Sequence, residues 1–347
     1  MDSPLLARPG AVPAEGVDAG VAAHYGDPYA EQRALARSAG MVDRSSRGIV
    51  RITGADRLTW LHSLTTQDVE RLAPGTAVQT LVLSPHGHVE HHLTVADDGT
   101  ATWIHVEPGT ARALLAFLES MRFMLRVEPA DVSGGFAVLT LMGPARQDTA
   151  GELADVTTVA MSDPFGTDLI VARERLAETA GDAERRGAVL AGMQAYEALR
   201  IAAHRPRLGL DTDHKTIPHE VGWVGTAVHL DKGCYRGQET VARVHNLGHP
   251  PRRLVFLHLD GSEDRLPAHG DPVTLDGASV GFTGSAARHF ELGPVALALI
   301  KRTVPVDAPL RAGGVPAAQE TVVSPDAGAN VKISFKRPRG ALVPPRE

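Results

Sequence analysis

The chain holds one thiol, and its neighbours could activate it. In the stretch HLDKGCYRGQETVARVHNLG, Cys234 stands between Lys232 and Arg236, with Gly233 and Gly237 freeing the backbone on either side. A cysteine becomes a nucleophile or a metal ligand when it ionises, and nearby cations or a helix N-terminus favour the thiolate. Both aids are expected here, because QETVARVH after Gly237 reads as a helix start with Glu239 in its first turn. Lys232 and Arg236 are therefore assigned to stabilise the thiolate, and Gln238 and Glu239 to hold the loop through the helix start. Arg243 falls one turn after Glu239, the spacing of an ion pair along a helix. The plainer alternative is a buried, inert cysteine, a common state of free thiols. A lysine two residues before and an arginine two after argue for the reactive or ligating reading.

A second chemically dense stretch is HGHVEHH, residues 86–92. On a strand, His88, Glu90 and His92 would share one face, and two histidines with one carboxylate form a recognised ligand set. A polar strand face turned to solvent or to a channel is the simpler reading and the preferred one. Trp60, Trp103 and Trp223 could stack on a ligand but are read first as core, and His245 as a surface residue.

These groups must be positioned by ordinary elements. GIVRITG alternates and ends in Gly54, a strand and turn. ADRLTWLHSLTTQDV then spaces Leu58, Leu61 and Leu64 as a helix does. Three strands follow, with turns at Pro85-His86-Gly87 and Asp97-Asp98-Gly99, then the helix TARALLAFLESMRFML and the strand FAVLTLMG. This is an α+β plan with an antiparallel sheet. PFGTDLIVAR reads as a further strand, and the apolar stripe Leu190, Met193, Tyr196, Leu199 and Ala203 as a helix. After HPPRRL only short strands with Gly-rich turns remain, which predicts a small β-barrel. The expected divisions are a flexible leader over 1–23, a first α+β domain over 24–150, and a second over 151–249 bearing the thiol. The barrel follows over 250–330, with a flexible tail over 331–347.

Composition narrows the function classes. At 347 residues the chain exceeds one ordinary core. A single cysteine excludes an internal disulfide and any multi-thiolate zinc or iron–sulfur site built from one chain. The net charge of -6 argues against general nucleic-acid affinity. No apolar run approaches a membrane span, and the Pro- and Gly-broken start lacks the form of a signal peptide, so a cytoplasmic protein is expected.

The segment KGCYRGQETVAR, including Tyr235, resembles the K-G-C-Y-x-G-Q-E signature of the YgfZ family of folate-binding-like proteins, whose mitochondrial relatives work in iron–sulfur cluster assembly. MVDRSSRGIVRITGADRLTWLHSLTTQDVERLAPG, with Asp43, Ser45 and Gly54, looks like the opening of the glycine-cleavage T-protein (aminomethyltransferase) superfamily. EALRIAAHRPRLGLD and IPHEVGW, with Pro218 and Glu220, resemble its central segment, and GASVGFTGSA its barrel strand. The resemblance implies three domains around a central channel. It also implies tetrahydrofolate as a ligand, with Glu220, Arg200, His92 and Trp223 as candidate contacts. It further implies a partner, an iron–sulfur carrier or a client enzyme, with which Cys234 would share a 2Fe–2S cluster or exchange electrons. Two departures matter. His91 and His92 fall where aminomethyltransferases carry an acidic pair, and Ala202 falls where they carry the pterin-binding Glu. The favoured reading is an accessory protein of iron–sulfur enzymes; the alternative is a tetrahydrofolate-dependent one-carbon transferase or demethylase.

Overall fold

The computed structural model describes residues 1–328, so the tail expected over 331–347 lies outside them. The first sheet runs Ala77–Leu83, Val89–Asp97, Ala101–Val106, Gly48–Thr53, Glu128–Asp131, with every neighbour antiparallel. Strand alternation divides its residues cleanly. Val50 and Ile52 turn to the helices Arg57–Leu64 and Ala111–Ser120, where they meet Leu61 and Leu114. Ile49 and Trp103 turn the other way, onto Val138 and Ile170 of a second sheet.

That second sheet runs Thr157–Ser162, Thr167–Ala172, Phe136–Met142, Gly40–Asp43, Val189–Ala191, and only its last pair is parallel. Its outer face packs Leu139, Leu169 and Val171 on Leu176 and Ala180 of the helix Leu176–Arg185. A closed barrel of six strands occupies residues 252–321. Its own core holds Val255, Leu257 and Ala298, while Phe256 and Leu297 face a cluster shared with Trp223, Tyr235 and Val241. The α+β class and the C-terminal barrel expected from the sequence are both present. Among the described residues, no helix is long and apolar enough to cross a membrane.

Three expectations need correction. The strand Phe136–Met142 belongs to the second sheet, and the fifth strand of the first sheet is the four-residue Glu128–Asp131. Its sequence EPAD carries no strand signature, and Pro129 is tolerated because the strand is an edge. A boundary at residue 150 therefore cuts the second sheet, which draws Gly40–Asp43 and Phe136–Met142 from before it. The leader, expected to be flexible over 1–23, is packed: Leu5 and Val21 are fully buried, and Ser3 donates to the carboxylate of Asp43. Its Pro and Gly residues punctuate short turns at Pro4–Ala7 and Gly16–Asp18. The next helix, Pro28–Arg37, starts sharply because Asp27 accepts from the amides of Tyr29 and Ala30.

Candidate functional site

Between the two sheets the apolar layer gives way to a polar chamber. Its interior measures about 90 Å³, widening to about 740 Å³ with the mouth included. One sheet contributes Gln79, His92 and His105, the other Thr140 and Asp168. The helix Met193–Ala202 adds Tyr196 and Arg200, and the chain beyond it Arg205 and Arg207.

The charges here form one connected set. Asp168 accepts from Thr140 Oγ1 at 2.6 Å and from Arg44 at 3.2 Å, and lies 2.9 Å from His105 Nε2. His105 Nδ1 accepts from Arg47 Nε at 2.8 Å, so the ring proton must sit on Nε2, toward Asp168. Arg47 also donates to Glu107 at 2.7 Å. Glu107 accepts from Arg207, which grips Asp18 of the leader at 2.8 and 2.9 Å and Glu197 at 2.8 Å. Arg200 joins Glu197 and Asp211.

Proton affinities follow from this pairing. Burial alone would raise the carboxyls, but Arg44 holds Asp168, and Arg47 with Arg207 holds Glu107, far below the usual carboxylate range. Glu197 is held at about 2 against burial by Arg200 and Arg207. Burial pushes His92 down to about 3, and burial with Arg47 pushes His105 down to about 4. Near neutral pH these carboxylates are ionised and arginine-bound, and both imidazoles are neutral. Such a chamber presents no protonated acid and no unpaired carboxylate among these groups.

The wall is also aromatic. The Arg44 guanidinium lies 4.4 Å from the Tyr196 ring centre, and Arg205 lies 4.8 Å from that of Phe165. His92 Nε2 meets Gln79 Oε1 at 3.1 Å, and its ring lies 4.6 Å from Trp223. Arg200 and His92 line the chamber, while Trp223 stands behind His92 in the core. Glu220 is corrected. It is fully buried away from the chamber, accepting twice from Arg252 at 2.8 Å and once from the Ile217 amide, which ties the central segment to the barrel's first strand.

Cys234 is exposed, and the residues around it are fixed. Gln238 Nε2 reaches the carbonyls of Lys232 and Gly233 at 3.4 and 3.5 Å, and Tyr235 is buried in the cluster under the barrel. The helix Gln238–Leu247 begins as expected, with Glu239 paired to Arg243 at 2.6 Å. The roles of the two flanking cations are corrected. Lys232 is buried, and its ammonium donates to the carbonyls of His62, Thr65 and Gln67, capping the helix Arg57–Leu64. Burial lowers it to about 8 against the pull of Asp68 and Glu70. Arg236 pairs with Glu90 at 2.9 Å over the ring of Phe117.

The reading of His88, Glu90 and His92 as one face fails for a geometric reason. His91 opposes Val82 but Val89 opposes Leu83, so Glu90 is an extra residue in a bulge that flips the alternation. Glu90 then reaches outward to Arg236 while His92 faces the chamber. Among the described residues no group of three or more His, Cys, Asp or Glu could hold a metal. Trp60 and Trp103 are core, as read. The residues missed by sequence reasoning are Arg44, Arg47, His105, Glu107, Asp168 and Arg207. Only two carried a signal, a polar side chain inside an apolar strand: His105 in ATWIHV and Asp168 in TDLIVA; Arg44, Arg47, Glu107 and Arg207 lie between elements.

Comparison with known proteins fits this architecture. The family described as GCVT N-terminal domain matches residues 15–167. The aminomethyltransferase of Geobacillus kaustophilus is 30% identical over 305 residues, covering 79% of this chain and 82% of that protein. The chain belongs to the GCVT aminomethyltransferase family. A second member, the aminomethyltransferase of a Nostoc species, is 27% identical over 322 residues, covering 83% of this chain and 85% of that one. The crystal structure of glycine cleavage system aminomethyltransferase T from Bartonella henselae superposes with a TM-score of 0.79 at 16% identity. The match covers 92% of this chain and 95% of that one, and establishes the shared fold. In the present family member His91 shares the face of Leu93 and Val95, under the helices, and only His92 reaches the chamber.

Proposed function

We propose that this family member is a YgfZ-type, folate-binding accessory protein that serves the assembly or repair of iron–sulfur enzymes and does not transfer an aminomethyl group. The observation that carries the reading is the exposure of Cys234 on a mount whose neighbouring side chains are all engaged elsewhere. A thiol presented this way suits a protein partner. The chain alone does not fit a cluster, having one thiol, so a cluster bound at Cys234 would be cargo shared with a carrier or client that supplies the other ligands.

The chamber supports the second half of the proposal. Holding a cationic aminomethyl group calls for an unpaired carboxylate, and Asp168, Glu107 and Glu197 are all committed to arginines. The donor set fits a reduced folate at the mouth. Gln79 offers an amide for an amino-pyrimidinone edge, and Phe165 and Tyr196 offer aromatic faces. Asp163 and Arg205, about one-third exposed, pair with each other and form the rim.

Two measurements test this. Cys234→Ser should abolish the restoration of iron–sulfur enzyme activity in cells lacking the protein, while its melting temperature stays at the wild-type value. Full restoration by the serine variant overturns the accessory role. Tetrahydrofolate should quench the tryptophan fluorescence saturably at micromolar concentration, because Trp223 lies directly behind His92. No binding by calorimetry removes folate from the proposal, and turnover of a methylated or aminomethylated amine would restore the transferase reading.

A further inference from the structure

His219 lies on the short turn Pro218–Val221, only 5% exposed, and both of its ring nitrogens lack a hydrogen-bond partner among the described residues. A neutral imidazole has one N–H and one lone pair, so two polar functions are stranded in the interior. Buried polar atoms are nearly always satisfied, and an exception calls for an ion or a water. The neighbouring imidazole is His245, in the last turn of the helix Gln238–Leu247, with ring centres 6.1 Å apart and planes inclined by 37°.

That separation is informative. One metal ion about 2.0 Å from a nitrogen of each ring, each nitrogen about 1.1 Å from its ring centre, sets the centres about 5 Å apart for a tetrahedral angle and about 6.2 Å for a linear one. The observed 6.1 Å sits at the linear end. The surroundings agree, since Val221 and Val241 of the same two elements belong to an apolar cluster. No third His, Cys, Asp or Glu completes a group among the described residues. Burial and His245 hold His219 down at about 4, so its ring is neutral near pH 7.

We propose that His219 and His245 form a two-coordinate site for a monovalent copper ion. Two imidazoles in an apolar setting suit a soft cation that accepts linear coordination, whereas zinc and the harder divalent ions require more ligands. The ion would link the Pro218–Val221 turn to the helix that starts beside Cys234, and so stiffen the mount of that thiol. The site stands independently of the function proposed above.

The full chain carrying Cys234→Ser, which removes the exposed thiol as a competing ligand, is titrated anaerobically with copper(I) against bicinchoninate. One equivalent should be drawn from the indicator. Adding His245→Gln should weaken that binding at least 100-fold, while His249→Gln, at an exposed position just beyond the helix, should leave it unchanged. His245 is only partly buried, so its variant should keep the parent melting temperature, whereas His219 variants risk unfolding. X-ray absorption on the loaded protein should show two nitrogen neighbours. Failure to draw copper from the indicator, or equal binding by His245→Gln, overturns the site and leaves a water as the partner of His219.

Discussion

The ammonium of Lys232 is bonded to three main-chain carbonyls where the helix Arg57–Leu64 ends. Hydrogen bonds from a charged donor contribute about 1.5–3 kcal/mol, and removing the donor leaves buried acceptors unpaired. Part of that gain is offset by the cost of burying the ammonium, visible in its lowered proton affinity. Lys232→Met, which keeps the length and apolar stem, should therefore lower stability by about 2–3 kcal/mol in urea unfolding. A loss below about 0.5 kcal/mol would mean the cap is dispensable. The lysine was singled out correctly in the sequence but for the wrong partner. Spacing along a loop shows which residues are neighbours, and says nothing of the direction in which each side chain leaves. The same limit applies to Glu220, whose partner Arg252 lies 32 residues away. Cys234 and His92 needed no long-range partner to be noticed; the first is exposed and the second lines the chamber.

At the scale of elements, the helix Gln238–Leu247 is docked on the Ser84–His88 turn through two glycines. Gly237 has φ +82°, and a Cβ there would lie 2.6 Å from the Ser84 carbonyl oxygen. Gly87 has φ +78°, and a Cβ there would lie 2.7 Å from Thr240. A left-handed backbone and a contact with main chain are both unfavourable to any side chain. Gly237→Ala should cost about 2–3 kcal/mol in urea unfolding and raise hydrogen exchange in both the helix start and the turn. Exchange changes confined to the helix would show that the two are not docked. The helix itself was legible from its first turn, because an N-terminal Glu and an i to i+4 pair are local signals. The edge strand Glu128–Asp131 was not, since its pairing with Gly48–Thr53 depends on the sheet already being present. The bulge at Glu90 was hidden for the same reason: alternation predicts a face only while the register is unbroken.

Over the whole molecule, the two sheets interleave along the chain, and ion pairs such as Arg44–Asp168, Arg47–Glu107 and Asp18–Arg207 surround one chamber between them. That arrangement was invisible as a domain count, because Gly40–Asp43, which precedes every strand of the first sheet, pairs within the second. It has a consequence for pH. Burial holds His91, His105 and His219 at about 4 and His92 at about 3, with Arg47 adding to the effect on His105 and His245 to that on His219. An unfolded histidine titrates at about 6.5, so between about pH 6.5 and 4 the unfolded chain binds protons that the folded chain refuses. Stability then falls as pH falls. At pH 5 each of the four costs about 2 kcal/mol, and together about 8 kcal/mol, comparable with the whole stability of an ordinary domain. The depressed carboxylates Asp168, Glu107 and Glu197 act with the same sign, but only once pH drops below their unfolded values near 4. Acid unfolding should therefore begin near pH 5, driven by histidine, before the arginine-bound carboxylates protonate. Calorimetric melting between pH 7.5 and 5 should show a steep fall in Tm, and His91→Leu, which removes one of the four, should flatten that slope by about a quarter. A Tm that holds level down to pH 5 would place the protons elsewhere and remove histidine burial as the acid trigger.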